Sequence, residues 1–343
     1  MNLGSDCAPD TKIPCTSACG ARVWDLRFGR GLLTSVAMKP SQSLTFSSPA
    51  ARLQYLILMG LFRLAVTRGL YGRFARGLGR VFGPRTAVFL HEGNAPPFRI
   101  ALNDGYWTRF ALYRAPYEPE VGAVLRAAQG ATPLFCDLGA NKGYWSTRAA
   151  TLFDRVIAVE AAADTFADLH ANTAGLPNVT RHHAAIHAVS GQSLTFVNTH
   201  LSHASARLME NTPPAARDRT ESITTLAIDD LVPPGTPALI KLDVEGAEIA
   251  ALSGAARALA EGSVLIYEDH GNDPACTVSA HLLGLPEMRL FSIATGLVPM
   301  PDTAAIRALK TDRFKGYNFL AARANSPLLA RIAESFAKTA KPG

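Results

Sequence analysis

The sequence has few cysteines, and they form no recognisable framework. Its 343 residues include only five Cys, an odd number that provides no paired disulfide set and suits a reducing compartment. Cys7, Cys15 and Cys19 lie close together, but no nearby His or fourth Cys completes a zinc site, so no metal is expected there. The 48% hydrophobic fraction is ample for one large domain with extensions.

The sequence also lacks a secretory signal and an apolar segment long enough to cross a membrane. Asp6 and Asp10 lie where a signal peptide needs a basic region followed by an apolar one. Leu53–Val66 is strongly apolar, but Arg63 interrupts it, and it is shorter than the roughly 20 residues of a spanning helix. We therefore expect a cytoplasmic protein. Met38 is an alternative start that would make the preceding residues an upstream extension.

Acidic residues are absent from Leu26–His91, which holds ten Lys or Arg. The whole chain has a net charge of +6, so the rest of the chain is net acidic. Two interpretations of this basic segment stay open. Its predicted helix either packs its apolar face on the domain, or residues 50–85 make a peripheral contact with anionic lipid at the inner face of the membrane. The predicted faces are apolar (Leu70, Tyr71, Phe74, Leu78, Val81) and basic (Arg73, Arg76, Arg80).

The periodicity of apolar residues predicts four segments. They are an extension or disordered arm over 1–48, a basic helix and lead-in cap over 49–130, a catalytic domain over 131–325 and a C-terminal tail over 326–343. In the cap, Phe98–Leu102 and Trp107–Leu112 flank Asn-Asp-Gly, which predicts a hairpin. Later apolar runs alternate with helix-length segments, as in a parallel α/β sheet. The predicted strands are 134–138, 156–160, 179–185, 193–198, 238–243, 263–268, 289–293 and 316–322, and the helices are 120–129, 143–153, 163–175, 246–260 and 277–284.

The segment around residues 134–145 carries the clearest chemical signal. An apolar strand ends in Asp137, and a turn with Gly139, Asn141 and Gly143 leads into a predicted helix. A dinucleotide fold would need a glycine at the position of Asn141, and the acid before the turn would repel a pyrophosphate. The same acid attracts an ammonium group, which favours S-adenosylmethionine. Glu160 ends the next predicted strand and can accept both hydroxyls of a ribose.

A second segment, Ala238–Glu248, is another buried strand that runs into a helix start. Together with the Asp137–Gly143 turn and Glu160, its run Ile-Lys-Leu-Asp-Val-Glu-Gly-Ala-Glu resembles the FkbM-type methyltransferase family over roughly Tyr117–Arg323. The family commonly has Pro after the acid, where this chain has Ala161. The resemblance implies an α/β, Rossmann-like class I methyltransferase fold. We expect a mostly parallel seven-stranded sheet, an antiparallel last strand, and an N-terminal extension of helices and a hairpin.

The resemblance also implies the cofactor and the reaction. We expect S-adenosyl-L-methionine as methyl donor and O-methylation of a hydroxyl on a sugar, glycan or secondary metabolite. The residues expected to bind the cofactor are Asp137, Gly139, Ala140, Asn141, Gly143, Tyr144, Glu160, Ala161, Ala185 and Asp243.

The catalytic candidates lie at the ends of two predicted strands. A weakly acidic hydroxyl needs a base, for which His270 has the unperturbed pKa nearest neutrality. The carboxylate alternatives are Asp243, Glu245 and Glu268. A magnesium ion on Asp243, Glu268 and Asp269 is a further route that no spacing demands, and no metal is expected.

Two rival functions remain. One is a nicotinamide-dependent Rossmann oxidoreductase, which Asn141 disfavours; the other is a non-catalytic, membrane-associated binding protein, which an intact Asp137, Glu160 and Asp243 disfavour. Nucleic acid is not expected as a partner, because the predicted catalytic region is net acidic and phosphate contacts need Lys and Arg.

Overall fold

The computed structural model describes residues 42–67, 70–83, 85–113, 116–198, 207–208, 219–244 and 246–339. Cys7, Cys15, Cys19 and the expected extension before residue 42 lie outside these ranges. The chain divides into two compact units. Their described parts fall within Phe46–Val88 with Ile100–Leu112, and within Lys39–Thr45 with Phe89–Arg99 and Tyr113–Gly343.

The first elements of the chain are helices and a small sheet. In chain order they are β1 (Gln42–Phe46), α1 (Pro49–Thr67), α2 (Tyr71–Phe82), β2 (Ala87–Glu92), β3 (Phe98–Ala101), α3 (Thr108–Tyr113) and α4 (Pro119–Ala128). The three strands form a sheet in the order β1-β2-β3. No helix among the described residues is long and apolar enough to cross a membrane.

The hairpin predicted around Asn-Asp-Gly is wrong in its second half, because Thr108–Tyr113 is helical. The carboxylate of Asp104 explains the difference, since its Oδ1 accepts hydrogen bonds from the backbone N–H groups of Tyr106 and Trp107 at 2.7 and 2.9 Å. A side-chain oxygen that pairs the free N–H groups of a first helical turn stabilises a helix start.

The remaining elements alternate between strand and helix. They are β4 (Leu134–Leu138), α5 (Tyr144–Ala149), β5 (Arg155–Glu160), α6 (Ala163–Thr173), β6 (Val179–His183), β7 (Ala185–Ile186), β8 (Ser193–Asn198), β9 (Arg207–Leu208), β10 (Arg219–Leu226), α7 (Ile228–Leu231), β11 (Leu239–Leu242), α8 (Glu248–Ser253), α9 (Ala256–Ala260), β12 (Val264–His270), α10 (Thr277–Leu283), β13 (Met288–Ser292), β14 (Val298–Met300), α11 (Thr303–Leu309), β15 (Gly316–Arg323) and α12 (Pro327–Thr339).

The main sheet has the order β14-β13-β15-β12-β11-β4-β5-β6. Five neighbouring strands of this sheet run parallel to one another: β12, β11, β4, β5 and β6. β15 lies between β12 and β13 and is antiparallel to both. The expected α/β fold with an antiparallel last strand is therefore confirmed, and the short β14 adds an eighth strand at the edge. All five residues of β4 and all four of β11 are buried, which is why both are continuous apolar runs apart from one polar residue each.

The strand order reverses at the centre of this sheet. β4 has β5 on one side and β11 on the other, although β5 follows it in the chain and β11 comes much later. Open α/β sheets bind ligands beyond the carboxyl ends of their strands at such a reversal. The residues that follow β4, β5, β11 and β12 therefore meet at one edge.

Some predicted elements differ in detail. The helix expected over 246–260 is two short helices, α8 and α9, because Gly254 between them lies against the His187 carbonyl oxygen, only 2.6 Å from where a Cβ would lie. The sequence does not predict β10. This strand pairs antiparallel with β8 in a separate sheet of order β7-β10-β8-β9, so the predicted strand 193–198 lies outside the main sheet. The expected tail forms α12, which packs on α4.

Candidate active site

The turn after β4 has a backbone that excludes most side chains. Gly139 and Gly143 have φ values of +80° and +82°, and Asn141 has a φ of +50°. A Cβ at position 139 would lie 1.7 Å from the backbone oxygen of Asp243. The turn after β4 and the residue that follows β11 are thus in direct contact, and only glycine fits between them.

Glu160, at the end of β5, holds this turn in place. Its Oε2 accepts a hydrogen bond from the Asn141 N–H at 2.8 Å, and its Oε1 accepts one from the Ala162 N–H at 2.8 Å. The N–H groups of Gly139 and Ala140 both bind the Val159 carbonyl oxygen at 2.9 Å. The carboxylate and the turn therefore form one rigid structure.

Burial dominates the electrostatics of Glu160. Loss of water raises its pKa to about 7, although the N–H groups of Ala162 and Asn141 favour the charged form. A carboxylate oxygen has two lone pairs, so each oxygen of Glu160 can accept a further hydrogen bond from a ligand hydroxyl. The role of Glu160 as a ribose-binding acid stays a prediction.

Asp137 is buried beneath the turn. Its Oδ2 accepts a hydrogen bond from the Ser146 hydroxyl of α5 at 2.6 Å, and its residue is 1% exposed. Burial raises its pKa above the usual value, and the nearby Lys241 ammonium opposes that rise. Asp137 therefore connects β4 to α5 beneath the turn and acts on the site through its charge. Almost none of its surface is open to a ligand.

Lys241 is a cation enclosed by carboxylates, and the sequence analysis did not single it out. Its Nζ lies 2.8 Å from Asp243 Oδ2, and its side chain is 5% exposed. Burial alone would lower the pKa of Lys241, but the carboxylates of Asp243, Glu118 and Asp137 outweigh burial and raise it. Three acids around one lysine leave a surplus of negative charge beside the turn.

Glu118 is the second site residue that the sequence analysis missed. It has a left-handed backbone with φ +41° just before α4, which is uncommon for a residue with a side chain. Its Oε2 accepts a hydrogen bond from Trp145 Nε1 at 2.7 Å. Burial raises the pKa of Glu118, Lys241 lowers it, and Asp243 raises it further, so the three groups share one electrostatic environment. The one sequence signal for it is the Glu-Pro pair before α4, typical of a helix start.

One face of the sheet carries the polar residues of the site. Asp137 is paired with Lys241, Lys241 with Ile266, and Glu268 with Asn318. Side chains of paired residues share a face, and residues two apart on one strand do so as well. Asp137, Lys241, Glu268 and Asn318 therefore lie on the same face.

His270 and Glu268 lie close together at the end of β12. Nε2 of His270 is 3.9 Å from Glu268 Oε2, and the two side chains are 46% and 21% exposed. Glu268 lies over Gly316, where even a Cβ would overlap its carboxyl group. The structure thus brings together three of the four catalytic candidates, Asp243, Glu268 and His270, at the carboxyl ends of β11 and β12. Glu245 lies outside the described residues.

Asp269 does not belong to this face. Its carboxylate accepts hydrogen bonds from Ser279 and from Lys310, whose side chain is 2% exposed. The alternation of side chains along β12 puts Asp269 opposite Glu268, so the alternative of a magnesium ion shared by Asp243, Glu268 and Asp269 is wrong. Among the residues that the structure describes, no group of three His, Cys, Asp or Glu is arranged to hold a metal.

Tyr144 was expected to bind cofactor, but its side chain is used elsewhere. Its hydroxyl donates a hydrogen bond to Glu92 Oε2 at 2.8 Å, and the Arg148 guanidinium lies 3.9 Å from its ring centroid. Arg148 also pairs with Glu92. Burial raises the pKa of Tyr144 above its usual range. The Tyr144 side chain therefore ties α5 to β2, and only its backbone lies beside the glycine turn.

Ala161 and Ala185 border the site beyond Glu160. The carbonyl oxygen of Ala161 lies 3.0 Å from Nε2 of His183. Ala185 is buried in a small cluster with Ala162 and Ile223, against which Ala161 packs. Both residues are apolar, and their expected contact with the cofactor stays a prediction.

Comparison with protein families identifies the segment that contains this site. Residues 137–307 match the family described as the methyltransferase FkbM domain. Through this segment, the chain belongs to the FkbM methyltransferase family. S-adenosylmethionine is the cofactor of this family, which confirms the cofactor expected from the sequence. Comparison with the curated proteins finds no match.

The solved structures that match this chain include methyltransferases. Methyltransferase FkbM from Methylobacillus flagellatus KT is 18% identical with a TM-score of 0.34, and the match covers 56% of this chain and 43% of that one. The O-methyltransferase TomG from Streptomyces achromogenes, solved with S-adenosylmethionine, is 16% identical with a TM-score of 0.35 and covers 63% and 85%. An O-methyltransferase from Bacillus cereus is 15% identical with a TM-score of 0.36 and covers 63% and 87%.

Proposed function

We propose that this protein transfers a methyl group from S-adenosylmethionine to a hydroxyl oxygen of a sugar, glycan or secondary metabolite. The observation that supports this most is the contact between Gly139 and the Asp243 backbone beside the Glu160 carboxylate. It joins the turn after β4, the acid after β5 and the acid after β11 at the point where the strand order reverses. Residues at that point can contact the nucleoside and the amino-acid group of the methyl donor, and also the acceptor.

The residues present fit this methyl donor. Glu160 and the Asn141 turn suit the ribose, and Gly139, which has no Cβ, lets the Asp243 backbone lie against the turn beside them. The donor carries two positive charges, on its ammonium and its sulfonium, and the acids around Lys241 offer surplus negative charge to both. When bound, S-adenosylmethionine supplies an electrophilic methyl group.

The acceptor side is the rim formed by Asp243, Glu268 and His270. An alcohol that gains a methyl group on oxygen loses its proton, and a positioned base accelerates that loss. Asp243 lies nearest the glycine turn and is held by Lys241, so we assign it the role of orienting the hydroxyl and accepting its proton. His270, with half of its side chain in solvent, is the alternative base or the group that passes the proton to water.

The charge of the site also bears on its partners. Carboxylates of Glu118, Asp137 and Asp243 surround a single buried lysine, Lys241, and Glu268 lies on the same face of the sheet. Such a site repels phosphate, which argues against nucleic acid as the acceptor and favours a neutral polyol. It repels the pyrophosphate of a nicotinamide cofactor for the same reason, which argues against the oxidoreductase alternative. The membrane contact expected for residues 50–85 would be made by α1 and α2, not by this site.

The test is transfer of labelled methyl groups from S-adenosylmethionine to fractionated glycans and metabolites of the source cell. We expect label in a hydroxyl-bearing acceptor, and we expect it to survive mild base, since an ether resists hydrolysis and a methyl ester does not. Asp243→Asn is the matched control, because it keeps the shape of the side chain. Tight binding of NADH without binding of S-adenosylmethionine would contradict the proposal.

A further inference from the structure

α2 packs through one tyrosine and two small residues. Tyr71, Ala75 and Gly79, four residues apart along the helix, are its buried positions. A Cβ at position 79 would lie 2.3 Å from the Cβ of Asn103, so the helix backbone approaches its neighbour as closely as a glycine allows. Of the five residues on the apolar face that the sequence predicts, only Tyr71 is among these buried positions.

Two large apolar residues of α2 consequently lie in solvent. Val81 is 80% exposed and Phe74 is 38% exposed. They share the outer side of the helix with the exposed residues Arg73, Arg76 and Arg80. The interpretation in which α2 buries its apolar face is therefore wrong for Phe74 and Val81, although Tyr71 of that face is buried.

α1 repeats this pattern. Ala51, Gln54 and Leu58 are buried on one side, while Leu53, Leu56 and Met59 are 53%, 56% and 41% exposed on the other. The two helices are in contact, with the rings of Phe62 and Tyr71 edge to face at 5.6 Å. Among the described residues, five of the nine large hydrophobic side chains that are exposed belong to α1 and α2. We call these five the apolar surface: Leu53, Leu56, Met59, Phe74 and Val81.

We propose that the apolar surface, with the arginines beside it, binds the surface of a membrane that contains anionic lipid. The apolar side chains would enter the region between head groups and acyl chains, and Arg52, Arg73, Arg76 and Arg80 would contact phosphates and carboxylates of the lipid head groups. No acid interrupts Leu26–His91, so nothing in this part of the sequence opposes a negatively charged surface. This inference is independent of the proposed methyl transfer.

Charge argues against the other occupants of the apolar surface. A second copy of this chain would bring the same arginines face to face in a two-fold contact, which repels. Residues 1–41 contain five basic and three acidic side chains, so that segment is itself net basic and is a poor match for an arginine-rich helix. A negatively charged lipid surface satisfies both the arginines and the apolar side chains.

Co-sedimentation of the full chain with vesicles tests the proposal. We expect binding to vesicles of phosphatidylcholine mixed with phosphatidylserine, weak binding to phosphatidylcholine alone, and release at high salt because salt screens exposed charges. The triple variant Arg73→Gln, Arg76→Gln, Arg80→Gln should reduce the partition coefficient about 100-fold, since each basic residue near such a surface contributes about fivefold.

A second pair of variants tests the apolar contribution. Phe74→Ser with Val81→Ser should weaken vesicle binding, whereas Phe314→Ser should not, although Phe314 is 66% exposed and also has an arginine, Arg313, over its ring. All these positions are exposed, so the variants should keep the unfolding temperature of the wild type. Equal binding to both vesicle types, no binding to either, or loss of a dimer in the Phe74→Ser variant would overturn the proposal.

Discussion

Glycines at the carboxyl edge of the main sheet and glycines on the outer faces of α1 and α2 differ in the room around the position of a Cβ. At the sheet edge, Gly139 has no room for a side chain because the Asp243 backbone lies against it. In α2, Gly77 has nothing within 4 Å of the position of a Cβ. The first region is determined by close contact between backbones, and the second is open to solvent.

This difference separates two kinds of function. A site that must hold a ligand in one orientation needs rigid backbone and paired polar groups, as around Glu160. A surface that adheres to a fluid layer needs only exposed apolar and charged side chains, as on α2. Substitutions should therefore have large and specific effects at the sheet edge and small, additive effects on the helices.

Gly139→Ala should produce the largest loss. Its Cβ would overlap the Asp243 carbonyl oxygen, and its φ of +80° disfavours any residue with a side chain. We expect the free energy of unfolding to fall by about 3 kcal/mol and binding of S-adenosylmethionine to be lost. Thermal unfolding and calorimetry measure both, and an alanine variant of normal stability and affinity would show that the turn is not constrained as described.

Asp243→Asn should affect chemistry more than binding. The amide keeps the shape of the side chain but cannot accept a proton, so we expect turnover to fall about 10²-fold with nearly unchanged affinity for the donor. His270→Ala in the same assay tests the alternative base, and the variant with the larger loss of turnover identifies the base. Near-normal turnover in Asp243→Asn would leave Asp243 with a purely structural role.

Glu118→Gln should weaken donor binding by a smaller amount. If the carboxylate faces the positive charges of the donor, affinity for S-adenosylmethionine should fall about tenfold, roughly the contribution of one hydrogen bond to a charged group. Affinity for S-adenosylhomocysteine, which lacks the sulfonium charge, should fall less. Glu120→Gln is the matched control, because a glutamine there can still accept the hydrogen bond from Asn318. Equal losses for both ligands would limit Glu118 to holding Trp145.

Gly77→Ala should have the smallest effect and the opposite sign. Alanine in an exposed helical position is favoured over glycine by about 1 kcal/mol or less, so the variant should be slightly more stable. Gly79→Ala, two residues later, should be destabilising because its Cβ would meet Asn103. Thermal unfolding of the two variants compares the open and the packed side of one helix; similar results for both would contradict the packing of α2.

The same contrast explains what could be predicted from the sequence. β4, β5 and β11 are buried on both faces, so their apolar runs identify them directly, and the glycines mark the turn. The packed face of α2 was predicted correctly only at Tyr71. A helical pattern assumes that large apolar residues are buried, whereas the close approach at Ala75 and Gly79 selects small ones. Glu118 and Lys241 were missed because the electrostatic interaction between them joins residues far apart in the chain.

The pH dependence of binding follows from Glu160. Its pKa is raised from 4.5 to about 7 in the folded protein, so stability falls as the pH rises through this interval and the buried group is forced to ionise. Ribose hydroxyls donate hydrogen bonds, which favours the ionised carboxylate. Affinity for a nucleoside should therefore rise with pH up to about 7 and then level off. Methylthioadenosine is the suitable probe, because it lacks the amino acid of the full donor.

The central claim is that Glu160 and the glycine turn bind the nucleoside of S-adenosylmethionine. Calorimetric titration of the wild type and of Glu160→Ala with S-adenosylmethionine tests it most directly. We expect the wild type to bind, and the variant to bind more weakly by about 1.5–3 kcal/mol, the contribution of hydrogen bonds to a charged group. Undiminished affinity in Glu160→Ala, or a wild type that binds NADH in place of S-adenosylmethionine, would contradict the account.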